Sequence, residues 1–366
     1  MNILINVKIL PKIVHYNTAE FFNDFFLDVV SDHPEHDFFL IGNNELTNTL
    51  FFSNLTILPS APESILLKKI WFSYKLPSLL KKHKIDIIIH LDNSCLQKTI
   101  IPQLVLVPDL SLFPLTYLSK KNTFVSLDKA TAIVTFSQTN KNNICKNFKI
   151  KEDKITVIYT GPSNKFIALE FQETESTKEI YSEGKEFFLF SGDINANNNL
   201  INLLKAFSFF KKRQKSNMQL LIITKNVLPT NSFIESLKTY KYRYEVKLLI
   251  DLPTHEVAKI MASAYSFVFA PHQSNDYVQL LQAMQCNVPA IVSNSLLMNE
   301  IASKAVLYTD PAIFENIADK MMLLFKDEGK RNELIRNGKN QSEQYSAALT
   351  SVHLWQTIVK CAGTSK

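Results

Sequence analysis

Glycine is scarce in this chain, with seven residues in 366, roughly 2% where about 7% is usual. Glycine lets a backbone approach a ligand or turn with positive φ, and phosphate-cradling loops depend on it. No GxGxxG loop, Walker loop, DxD pair or GxSxG elbow is present. Arginine is nearly as rare: Arg213, Arg243, Arg331 and Arg336 are the full set, and none precedes residue 200. Bidentate recognition of phosphate favours arginine over lysine, so the first half has no such fork to offer. Cys95, Cys145, Cys286 and Cys361 lie far apart without CxxC or CxxH spacing, which excludes a sequence-local zinc site and reads as reduced thiols. There is no repeat of 20–50 residues and no run of about 18 apolar residues of the kind that spans a bilayer. The opening MNILINVKIL reads directly as a strand, so no signal peptide is expected and the location inferred is cytoplasmic, with the inner face of the membrane as an option.

What is present is enough apolar material for two cores. The apolar fraction is 46%, and a chain of 366 residues exceeds one ordinary core. The formal charge of +6 is carried almost wholly by lysine and suits contact with an anionic surface. Short apolar runs alternate with amphipathic stretches throughout. Strands are expected at Asn2–Ile9, Asp37–Ile41, Leu55–Leu58, Ile85–His90, Gln103–Val107, Ala132–Phe136 and Ile155–Tyr159, with helices at Thr18–Ser31, Ile65–Lys82, Leu118–Lys129 and Gln138–Phe148. The polar, acidic stretch Gly161–Gly184 reads as a linker. Alternation then resumes at Phe187–Ser191 and continues to two long helices, Ala312–Asp327 and Glu328–Tyr345, and a last one containing Trp355. Strands of five to eight residues separated by helices imply βαβ units and parallel sheets. The fold class expected is therefore α/β with two doubly wound parallel-sheet domains facing across a cleft. The domains are drawn at 1–165 and 166–345, and a C-terminal helix over 346–366 can cross back to the first.

Five segments, in order, carry a resemblance to a known family. They are WFSYKLPSLLKKHKIDIIIHLDN, VPDLSLFPLTY, IVTFSQTNKNNICKNFKIKEDKITVIYTGPSNKF, FFLFSGDINANNNLINLLKAF and FVFAPHQSNDYVQLLQAMQCNVPAIVSNSLLMNEIASKAVLYTDP. Over nearly its whole length the chain resembles family-4 glycosyltransferases of the GT-B fold, the group 1 glycosyl transferases. The resemblance implies an acceptor-type first domain, a donor-type second domain and retaining transfer from a nucleotide sugar without a metal or other cofactor. It also implies where the chemistry should sit. The departing diphosphate is held in the family by an Arg and a Lys after the first donor-domain strand. Asp193, beside Gly192, and Asn198 stand there. A carboxylate would repel a diphosphate by about 1–4 kcal/mol at a few ångströms. Asn198 and Asn199 also read as a helix start, since Asn caps well.

Where the family has two glutamates eight residues apart, this chain has Ser274 (or Asn275, if the loop is one residue longer) and Gln282. The glycine turn between them is replaced by residues near Asp276, Tyr277 and Val278, whose side chains are expected to block close approach. The family's His-Asp pair corresponds to Pro108 and Asp109, and the turn after the first strand contains His15 in place of glycine. Asp109 and Ser274 are thus the candidates for catalytic positions. Gly192, Asp193, Asn198, Asn275, Asp276, Tyr277 and Gln282 are the donor-side candidates, and His15 and Pro108 the acceptor-side candidates.

Two functions compete. One is a pseudoenzyme or partner subunit in glycan or glycoprotein synthesis, working with a sister glycosyltransferase or with a glycan or protein acceptor. The alternative is an active, divergent retaining transferase assembling cell-surface polysaccharide or glycolipid, its lysine-rich first domain (Lys68, Lys69, Lys75, Lys81, Lys82, Lys84) touching anionic lipid. No nucleic-acid partner is expected.

Overall fold

The computed structural model describes residues 1–6, 26, 28–41, 52–59, 62, 64, 70–91, 95–107, 117–225, 232–274 and 276–363, without the side chains of 117–122. Chain contacts divide it into two units, the first running to Tyr159 and taking in Ala348 onward, the second running from Thr160 to Ala347.

The first unit is built on seven strands: β1 (Asn2–Asn6), β2 (Asp37–Ile41), β3 (Leu55–Leu58), β4 (Ile87–His90), β5 (Gln103–Val107), β6 (Ala132–Thr135) and β7 (Ile155–Val157). Their spatial order is β3-β2-β1-β4-β5-β6-β7, and every pairing is parallel. β4 and β5 are buried at every position, as a central parallel strand covered on both faces requires. Helices α1 (Leu76–Lys82), α2 (Tyr117–Lys129) and α3 (Gln138–Phe148) flank the sheet. Of the helix expected over Ile65–Lys82, the described residues from Ile70 to Lys82 are helical, with a π turn at Trp71–Lys75. Pro77 explains this: it has no N–H for the Ser73 carbonyl, so the α ladder cannot run through, and Leu76 N–H donates to Trp71 O. The last helix of the chain, Ala347–Gly363, packs Leu354, Ile358 and Cys361 against Ile3, Phe38 and Ile87 of this unit.

The second unit contains α4 (Phe171–Ser182), β8 (Phe187–Ser191), α5 (Leu200–Gln214), β9 (Gln219–Thr224), α6 (Ser232–Lys238), β10 (Val246–Ile250), α7 (Thr254–Ala262) and β11 (Ser266–Phe269). It continues through α8 (Val278–Gln285), β12 (Ala290–Ser293), α9 (Leu296–Ala302), β13 (Leu307–Thr309), α10 (Phe314–Lys326) and α11 (Glu328–Ser342). Its strand order is β10-β9-β8-β11-β12-β13, again all parallel. β8, the FFLFS run, is buried throughout, and α5 turns Leu200, Leu203, Leu204, Phe207 and Phe210 onto the sheet at helical spacing. Each buried phenylalanine contributes about 1.5–3 kcal/mol.

The stretch read as a linker, Gly161–Gly184, is corrected by α4. Its buried positions are Thr177, Lys178 and Ser182, so the inward face is polar and hydrophobic periodicity does not register it. Lys178 Nζ donates to Glu175 Oε1 at 2.9 Å and Glu186 Oε1 at 2.6 Å, and Tyr181 Oη donates to Glu256 Oε2 on α7 at 2.7 Å. Of the acidic residues that suggested a solvated linker, Glu175 is a partner in these pairs, while Glu186 and Glu256 reach the helix from outside the stretch. Among the described residues no helix is long and apolar enough to cross a membrane.

Candidate functional site

In a doubly wound sheet, ligands bind beyond the carboxyl ends of the strands where the winding direction reverses. In the second unit β8 is flanked by β9 on one side and β11 on the other, so the reversal lies between β8 and β11. The residues after β8 are Gly192 and Asp193, and those after β11 are 270–277. A hollow occurs at this point, lined by Gly192, Asp193, Asn198, Phe269, Ser274, Asp276 and Gln279, with about 10 Å³ accessible, room for one water.

Local chemistry fixes this turn. Gly192 sits at φ +152, where a Cβ would come within 3.2 Å of Phe190 Cζ. Asn195 Oδ1 then accepts the Asn198 N–H at 3.0 Å, capping a single 3-10 turn at Ala196–Asn198. Asn199 stands at the N-cap position of α5 as expected, but without a side-chain capping bond; Asn195 caps the turn ahead of it. Asn199 takes the left-handed conformation at φ 60, which Asn tolerates, and ties the turn down by donating to Ala270 O at 3.0 Å and Pro311 O at 2.7 Å. The Asn198 side-chain amide donates to Asp193 O at 2.8 Å. On the facing loop, Ser274 Oγ accepts the Asp276 N–H at 3.0 Å and Asp276 Oδ1 accepts the Val278 N–H at 3.1 Å. The first amide of α8 is thereby capped from within.

Of the residues singled out from sequence, Gly192, Asp193, Asn198, Ser274 and Asp276 converge on this hollow. Tyr277 and Gln282 do not line it. Tyr277 is 3% exposed and turned inward, so it blocks nothing. Its Oη accepts the Thr160 N–H at 2.8 Å and the Thr160 hydroxyl at 3.0 Å, and burial raises the phenol's pKa well above the usual range. Gln282 is buried on α8. His15, Pro108, Asp109 and Asn275 lie outside the described residues.

Sequence reasoning passed over Gln279. It is 4% exposed, lines the hollow, and its Oε1 has no hydrogen-bond partner. Nothing in the VQLLQAM run marks it; the only signal was a polar residue on a helix otherwise buried at neighbouring positions. The described lining includes no lysine, arginine or histidine. Among the described residues no group of three His, Cys, Asp or Glu could hold a metal ion. A larger hollow of about 480 Å³ flanks the other side of the same turn, lined by Asn195, Asn199, Asn202, Phe233 and His272 among others. Its Asn199 and Asn202 amides both donate to Pro311 O, so they serve the fold.

Comparison with known proteins adds the family. Residues 171–341 match the model of the glycosyl transferases group 1. The chain is 22% identical over 228 residues to O-antigen chain mannosyltransferase B of Escherichia coli, covering 62% of this chain and 60% of that protein. It is 23% identical over 187 residues to O-antigen chain mannosyltransferase RfbU of Salmonella typhimurium, covering 51% of this chain and 49% of that one. The chain therefore spans about half to three-fifths of the length of these curated relatives. The crystal structure of a glycosyltransferase from Rickettsia africae superposes with a TM-score of 0.81 at 15% identity, covering 98% of each chain. The fold is GT-B.

Proposed function

We propose that this chain, whose second unit is a group 1 glycosyl transferase domain, serves cell-surface polysaccharide assembly as a catalytically silent subunit beside an active sister transferase. The curated relatives, both named O-antigen chain mannosyltransferases, support the polysaccharide setting.

One observation carries the silent reading: the described lining of the hollow has no basic side chain, and two of its nearby donors are already engaged. Asp193 presents a carboxylate, the Asn198 amide is committed to Asp193 O, and the first amide of α8 is committed to Asp276. A leaving diphosphate develops negative charge and needs preorganised donors or cations. Asparagine and serine in place of charged groups forfeit the stronger charge-assisted bonds. The space itself admits one water. The relatives' names favour a second reading, an active divergent mannosyl transfer from a nucleotide sugar.

Calorimetric titration with UDP and GDP separates the two. The silent subunit gives no saturable heat, whereas binding at micromolar concentration sinks it. The double variant Asp193→Arg, Asn198→Lys should then gain nucleotide affinity, because it returns two cations to the turn. Co-purification with a sister transferase is expected; a solitary monomer that transfers sugar would remove the partner.

A further inference from the structure

The described lining of the hollow between β8 and β11 has no cation with which to hold a diphosphate. Its polar inventory states what it can hold. Gln279 Oε1 is buried and without a partner, and an unsatisfied buried carbonyl oxygen is destabilising. The lining adds the carboxyl groups of Asp193 and Asp276 and the Asn198 side chain, whose NH₂ already serves Asp193 O. The hydroxyl oxygen of Ser274 accepts the Asp276 N–H. The surface is thus rich in acceptors and poor in donors, and its described lining holds acidic side chains and no basic one. Phe269 closes one wall with an apolar ring, which lowers the local dielectric and strengthens whatever electrostatic contact forms there.

A group that satisfies Gln279 Oε1 must donate a hydrogen bond and be no larger than a water molecule. A water meets both needs but is neutral. A primary ammonium also meets both, and it supplies three donors and a positive charge to a lining with two carboxyl groups. From this we infer that the hollow is a binding site for a primary ammonium head, carried on a small amino-bearing ligand such as an amino sugar, with Gln279 Oε1 as its buried acceptor. The inference rests on the proposed silent reading, since a site that held a diphosphate would not be selective for a cation.

The test uses the full chain and two sugars of the same ring, D-glucosamine and D-glucose, at pH 6.5 where the amine is protonated, followed by calorimetry and thermal shift. Glucosamine should bind saturably and glucose at least about tenfold more weakly. Gln279→Met keeps the volume and removes the acceptor, and should weaken glucosamine by about tenfold or more. Asp193→Asn, at a half-buried position, keeps the shape, removes one charge, and should also weaken glucosamine binding. Equal binding of the two sugars, absence of glucosamine binding, or unchanged glucosamine affinity in both variants overturns the inference. A parallel UDP titration keeps the two proposals apart. If neither UDP nor glucosamine binds, the silent subunit stands and the ammonium site falls. If UDP binds and competes with glucosamine, both fall.

Discussion

Replacing Tyr277 by Phe tests whether the loop ahead of α8 is held by the contact on which its geometry depends. The Tyr277 hydroxyl accepts the Thr160 N–H at 2.8 Å and the Thr160 Oγ1–H at 3.0 Å, and both residues are almost wholly buried. Phenylalanine fills the ring's space but leaves the Thr160 N–H without its acceptor, an omission of about 1–3 kcal/mol for a buried backbone donor. For a unit of this size that is a fall in Tm of roughly 2–12 °C. Thr160→Ala removes only the second, weaker donor and should cost less. The double variant should fall short of the sum, because both changes strike one contact. Urea unfolding of the single and double variants supplies the energies. Native-state hydrogen exchange at the Thr160 amide supplies the local readout, since that proton should lose protection in Tyr277→Phe. A loss below about 0.5 kcal/mol with Thr160 still protected would refute the reasoning and mean that another group takes over the amide.

Four further outcomes follow from particular residues. The Tyr240 hydroxyl donates to Leu204 O at 2.7 Å and accepts from Ser208 at 2.8 Å, and burial pushes its pKa to about 12. The folded pKa is raised, so its stabilising effect is present below pH 10 and lost between 10 and 12; the stability gap between wild type and Tyr240→Phe, read by urea midpoints, should narrow across that window. A Cβ on Gly161 would lie 2.2 Å from Ser346 C, so Gly161→Ala should cost about 3 kcal/mol or more, whereas Gly338→Ala, facing only the pliable Met284 Cγ at 3.3 Å, should stay within about 1 kcal/mol. Both amide atoms of Gln219, 1% exposed, are without partners, so Gln219→Met should leave stability unchanged or raise it by about 1–2 kcal/mol in thermal unfolding. Lys215 caps α5 at φ 47, so Lys215→Gly should stabilise the second unit by about 1 kcal/mol.

The sheets were legible because parallel strands covered on both faces write themselves as continuous apolar runs: FFLFS, DFFLI and AIVS stand where the alternation places strands. The helix α4 was illegible for the converse reason, since its inward contacts are made by Lys178 and Ser182 and its large apolar residues Phe171 and Ile180 face solvent. At the candidate site, ordered segments located the turn at Gly192–Asn198 and the loop at Ser274–Asp276. The direction of a side chain is another matter. Tyr277 looked like an obstruction because bulk was read without orientation, and the structure sends its ring inward to Thr160. Gln279 was passed over because the one property that distinguishes it, an acceptor without a donor, exists only once its surroundings are in place.

The glycine shortage separates two uses of that residue. Left-handed backbone at chain turns does not require it here. Lys84, Lys149, Glu183, Asn199, Lys215, Asp251, Asn287 and Ser303 all hold positive φ, several of them closing helices where glycine usually stands. Each such cap forgoes about 1 kcal/mol, and a core of two parallel sheets absorbs that loss. Close approach is different, because there a Cβ meets atoms rather than a torsional preference. Gly161, against the Ser346 backbone, belongs to this second class. Gly192 joins both classes: its φ is +152, and its missing Cβ would press on Phe190 at the mouth of the β8–β11 hollow. Glycine therefore stands at the loop where a ligand would touch backbone, in a chain that tolerates other residues at most of its left-handed turns. That placement argues for a ligand at the hollow, and the acceptors around it argue that the ligand is not a phosphate.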